Sequence, residues 1–152
     1  MDTNLNAADP FNLARFVSAQ ETTFLRALTE LRHGQKESHW MWFIFPQIDG
    51  LGSSRTAKLY AIKSQEEAAA YLRHPSLAPR LIQCAEALLQ IDGKAASEIM
   101  GYPDEMKLRS SMTLFASISG PGSVFHRVLD KYFQGDPDQK TLELIDCDEQ
   151  SK

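Results

Sequence analysis

Two cysteines in 152 residues, Cys84 and Cys147, are too few for a disulfide framework or a zinc motif, and their scarcity suits a reducing compartment. Positive charge is also in short supply. Sixteen Lys and Arg stand against 20 Asp and Glu, a formal net charge of -4, so there is no basic excess to release counterions from nucleic acid, and no nucleic-acid partner is expected. The longest unbroken apolar run covers only residues 40–45, far too short to cross a bilayer. The N-terminal MDTNLNAADP lacks both the basic stretch and the apolar core of an export signal. These absences point to a cytoplasmic chain without a membrane partner. His33, His39, His74 and His126 contain no His-x-x-x-His pair, and neither Gly-x-Gly-x-x-Gly nor a P-loop occurs, so no metal and no cofactor is expected.

What is present is enough apolar material for one core: 43% of the residues are hydrophobic in a chain of single-domain length. Their spacing is helical. Leu13, Phe16, Val17, Gln20, Phe24, Ala27, Leu28 and Leu31 recur every three or four residues, which predicts one long helix opened by Asp9-Pro10 and ended by Gly34. Ser64 with Glu67 reads as a capping box, and residues 77–91 repeat the helical period up to Gly93. Pro103-Asp104 opens another helix, residues 124–133 form the next before Gly135, and Asp138 can cap a last short one. No strand alternation appears. The expectation is an all-α fold: one compact domain of about seven or eight helices over residues 9–145, a disordered tail over 1–8 and an acidic tail over 146–152.

Two segments carry unusual patterns. In SHWMWFIFPQ, residues 38–47, six apolar residues are flanked by Ser38, His39 and Gln47, and a helix there would be apolar on every side and therefore central. A buried strand is the alternative, and Pro46 stops either one. In DEMKLRSSMT, residues 104–113, helical spacing places Asp104, Lys107 and Ser111 on one face. Ser110, Ser111 and Thr113 add nothing to helix propensity, although they can bond back to carbonyls.

DPFNLARFVSAQ at residues 9–20, SHWMWFIFPQ, GLGSS at 50–54, YAI at 60–62 and DEMKLRSSMTLF at 104–115 together resemble the domain-of-unknown-function family 1810, over nearly the whole chain from Asp9 to Leu144. The resemblance implies a mainly helical domain without naming an activity. Members are sometimes called calpastatin, a label that does not suit this chain: calpain-inhibitory segments fold on binding, whereas this composition folds alone.

Two functional readings follow. In one, polar residues around an apolar wall form a small-molecule pocket for a phosphate-bearing or nucleotide-like ligand. Its candidate residues are Lys36, Ser38, His39, Trp42, Gln47, Ser54, Asp104, Lys107, Ser110 and Ser111. If the pocket is catalytic, His39 is the acid or base, because its ordinary pKa lies nearest neutrality, and Lys107 holds an anionic group. In the other reading the chain is a helical protein-protein interaction module and the same polar residues serve only the fold. Oligomeric state cannot be read from the sequence.

Overall fold

The computed structural model describes residues 9–150; the tail expected over residues 1–8 lies outside the described residues, as do residues 151 and 152. Ten helices and no strand occur among the described residues: α1 (Ala14–Glu21), α2 (Phe24–Arg32), α3 (Met41–Ile44), α4 (Arg55–Leu59), α5 (Gln65–Arg73), α6 (Leu77–Leu89), α7 (Ala96–Met100), α8 (Asp104–Ala116), α9 (Val124–Phe133) and α10 (Gln139–Gln150). The fold is all-α. One parallel bridge, Ile48 with Ile62, is the single extended pairing: Ile62 N–H donates to Gln47 O and Asp49 N–H to Ile62 O, both at 2.8 Å.

Several local expectations are corrected. The long N-terminal helix is two helices broken at Thr22-Thr23, where the Thr23 hydroxyl donates to Ala19 O at 2.7 Å. Its apolar stripe nevertheless continues, because α1 and α2 bury their faces in the same core. The helix begins at Ala14 rather than Pro10, since Asn12 takes a positive φ of 53°. Asp9 still caps it from outside, accepting Leu13 N–H at 2.6 Å and Ala14 N–H at 3.0 Å. The segment of residues 40–45 is helical for only four residues. Phe45, which precedes Pro46, leaves the helical region at φ -124° and ψ 76°, as the proline ring requires.

The central element is therefore α8 rather than α3. From Leu108 to Ala116 every residue except Arg109 is buried, and α8 packs against α5, α7, α9 and α10. Phe16, Leu31, Trp40, Tyr71 and Phe115 are fully buried around it, and each such side chain contributes about 1.5–3 kcal/mol of transfer free energy. Phe16 meets Tyr71 edge-on at 5.2 Å, and Tyr71 meets Phe115 at 5.4 Å, so α1, α5 and α8 share one aromatic seam. No helix among the described residues is long and apolar enough to cross a membrane.

Candidate functional site

The two ends of the tryptophan segment behave differently. At the Ser38 end, the carboxylate of Glu30 on α2 is nearly buried, with only 7% of the residue exposed. It accepts the N–H groups of Glu37 at 2.8 Å and Ser38 at 3.0 Å, the Trp40 indole N–H at 2.8 Å and the Ser38 hydroxyl. Burial alone raises its pKa. The four donors outweigh that effect, led by the Ser38 hydroxyl, and the carboxyl is lowered to about 2. Ser38 is thus a hydrogen-bond partner of Glu30 rather than a pocket residue. Ser38 and Trp40 both turn inward to Glu30, and His39 between them faces solvent.

Lys36 lies beside this carboxylate. Its ammonium donates to Ser38 O at 2.6 Å, pairs with Asp104 Oδ2 at 2.8 Å and sits 4.9 Å above the Trp40 ring, with its side chain 6% exposed. An ammonium this buried requires its carboxylate partner. Asp104 is the first residue of α8, where a negative charge also suits the helix dipole. Its other oxygen, Oδ1, lies 3.6 Å from Lys107 Nζ, and Lys107 in turn stands 5.3 Å from the centroid of the half-buried Trp42 ring. Lys36 and Asp104 are the base on which Lys107 rests.

Beyond Lys107 opens a cavity of about 540 Å3. One wall is the loop of residues 50–54. There a Cβ on Gly52 would come within 2.6 Å of the Ala57 Cβ, and Gly50 adopts φ +110° with the Leu144 side chain 3.0 Å from the site of its missing Cβ. Glycine at both positions lets the loop pack down as bare backbone. Ser54 ends it by accepting Ala57 N–H at 3.0 Å as the cap of α4. The bridge to Ile62 fixes the neighbouring chain, and Arg15 holds the segment that carries Tyr60 through Leu59 O at 2.8 Å, Ala61 O at 2.9 Å and Glu67 at 2.7 Å.

Of the sequence candidates, Trp42, Gln47, Ser54, Lys107 and Ser110 line this cavity, whereas Lys36, Ser38, His39, Asp104 and Ser111 do not. His39 and Lys107 therefore share no cavity, and the role of His39 as acid or base is not supported. Ser110 donates to Met106 O at 3.1 Å and Thr113 to Arg109 O at 2.8 Å, the back-bonding expected of hydroxyls inside a helix. Ser111 is fully buried and its hydroxyl has no partner among the described residues. Among the lining residues outside the candidate set are Asp49, Tyr60, Tyr102 and Asp138. Asp138 was legible only as a cap, a role it fills by accepting Thr141 N–H at 2.9 Å. Tyr102, 79% exposed beside the start of α8, carries no spacing signal.

Gln47 decides what the cavity can do. Its backbone is engaged by Ile62, but its half-buried side-chain carboxamide makes no hydrogen bond among the described residues, and neither does the Tyr60 hydroxyl. A donor, an acceptor and an ammonium on an aromatic wall suit ligand binding. A second, more polar cavity of about 650 Å3 lies at the ends of α2 and α6 and contains none of the candidates. No group of three or more His, Cys, Asp or Glu among the described residues could hold a metal. Cys84 is buried, and desolvation pushes its thiol up to about 12, which keeps it protonated and unreactive.

Residues 10–145 match the model of a family described as protein of unknown function (DUF1810). The chain belongs to that family. The crystal structure of the conserved hypothetical protein Rv1873 from Mycobacterium tuberculosis is similar throughout, with 48% sequence identity and a TM-score of 0.89. The similarity covers 91% of this chain and 99% of that one. No curated protein matches the sequence. The DUF1810 membership agrees with the helical fold and leaves the activity open.

Proposed function

We propose that this DUF1810 protein binds a small molecule in the cavity between the loop of residues 50–54 and α8, in a reducing cytoplasm. The observation that carries the reading is the unpartnered carboxamide of Gln47, set in one wall with Trp42 and Lys107. The carboxamide of Gln20 and the carboxylate of Glu30, both in the core, are by contrast satisfied internally. Binding rather than catalysis is supported, because no histidine lines the cavity and its one lysine, Lys107, stands against Asp104, a carboxylate it shares with Lys36.

A thermal-shift screen of small metabolites tests it, since a ligand selective for the folded state raises its melting temperature. Gln47→Ala and Lys107→Met are expected to abolish the shift while keeping the parent melting temperature in the absence of ligand. His39→Gln is expected to retain both. A second reading, an interaction module, draws on Tyr102 and Met106, both exposed at the same rim. It is favoured if Tyr102→Ala removes binding to a partner protein and no small molecule shifts the wild type.

A further inference from the structure

We infer that the ligand class is the nucleoside and its monophosphate, with the base read by Gln47 and stacked on the aromatic wall, and that di- and triphosphates are selected against. This rests on the cavity reading above and names its occupant.

The carboxamide of Gln47 presents a donor and an acceptor side by side. That pair complements the adjacent acceptor and donor on a nucleobase edge, where two parallel hydrogen bonds form without any change of ionisation. A carboxylate uses only the donor half of it, and an alkyl chain uses neither. Aromatic rings face the same space. Trp42 and Tyr60 are half-buried in the wall, Tyr60 being held in place by Phe16 at 5.8 Å and Phe43 at 5.3 Å. Tyr102 stands exposed at the rim with no ring partner among the described residues. Planar bases stack on such rings whatever their identity.

Charge sets the upper limit on phosphate. Lys107 is the one cation among the described lining residues, which also include Asp49 and Asp138. With their ion-pair partners the cluster is neutral rather than cationic: Lys36 and Lys107 share Asp104, at 2.8 and 3.6 Å, and Lys63 lies 3.6 Å from Asp49. A triphosphate would bring several negative charges into a wall that supplies one ammonium and two carboxylates, and like charges held close raise the cost of binding. A single phosphate can pair with Lys107. One oxygen each of Asp49 and Asp138 makes no hydrogen bond among the described residues, which suits ribose hydroxyls as donors.

Calorimetric titration of the full chain at low ionic strength, without divalent cations, tests this with the four common ribonucleosides, their 5′-monophosphates and their 5′-triphosphates. At least one nucleoside or monophosphate is expected to bind, with its triphosphate at least tenfold weaker. Gln47→Ala should weaken that binding by about fivefold or more, the effect of losing a bidentate base contact. Asp49→Asn, an exposed position, should narrow the gap between mono- and triphosphate. The class assignment is overturned if a triphosphate binds as tightly as its monophosphate, if no nucleoside or monophosphate binds, or if Gln47→Ala has no effect. Should another class of compound raise the melting temperature in a Lys107-dependent way, the nucleoside falls and the cavity reading stands. Should nucleotides bind equally well to Lys107→Met and Gln47→Ala, both fall.

Discussion

Trp40 and Trp42 are two residues apart, yet one belongs to the core and the other to a cavity. Trp40 is 1% exposed, with its indole N–H fixed on Glu30, whereas Trp42 is half-buried under the Lys107 ammonium. The difference extends to the polar residues around them. Near Trp40, Ser38, Lys36, Glu30 and Asp104 bond to one another; near Trp42, the Gln47 carboxamide and the Tyr60 hydroxyl make no hydrogen bond among the described residues. Buried polar groups that satisfy one another specify a fold, and those left open on a wall are available to a ligand.

Deleting the two indoles gives the largest contrast. Trp40→Ala is expected to cost about 3–5 kcal/mol in urea unfolding, the range for large aromatic deletions in cores. Trp42→Ala should cost about 1 kcal/mol, typical of a substitution without full burial. Equal losses would erase the distinction between the ends.

Acid titration sharpens it. Glu30 has a folded pKa of about 2 against an ordinary value of 4.5, so its contribution is fully present above pH 4.5 and is lost as pH falls toward 2. The loss amounts to about 3 kcal/mol, and Glu30→Gln should flatten that acid limb while lowering stability at neutral pH. An unchanged limb in the variant would remove Glu30 from the centre of the structural end.

Ser111 offers a smaller effect of opposite sign. Its hydroxyl is buried without a partner inside α8, so Ser111→Ala should stabilise the chain by about 1 kcal/mol in the same unfolding assay. Destabilisation would mean that the hydroxyl has a partner after all. The smallest expected effect on stability is that of Gln47→Ala, within about 0.5 kcal/mol of the parent, because no internal bond is lost.

Much of this architecture was legible in the sequence, and the exceptions have physical causes. Apolar spacing located the helices, since burial of one face is what the spacing encodes. It could not see the break at Thr22-Thr23, because α1 and α2 present one continuous stripe to the same core. It also misplaced the centre: residues 40–45 look buried on all sides, but Pro46 limits α3 to a single turn, and the helix that is buried almost all round carries serines and a threonine. Two of those three hydroxyls, of Ser110 and Thr113, are hidden by bonding to their own backbone, which hydrophobicity does not register. About half of the candidate site residues reached the cavity. Gln47, Trp42 and Lys107 did so because they flank apolar positions, whereas His39 did not, because the inward turn of both its neighbours toward Glu30 is a tertiary event.

The most direct test of the division between the two ends is the ligand-induced rise in melting temperature, measured for wild type, His39→Gln and Gln47→Ala with the best-binding nucleoside or monophosphate. The predicted result is a rise retained in His39→Gln and lost in Gln47→Ala, with all three proteins melting together when no ligand is present. A rise retained in Gln47→Ala, or lost in His39→Gln at unchanged intrinsic stability, would contradict the assignment of the site to the Gln47 end.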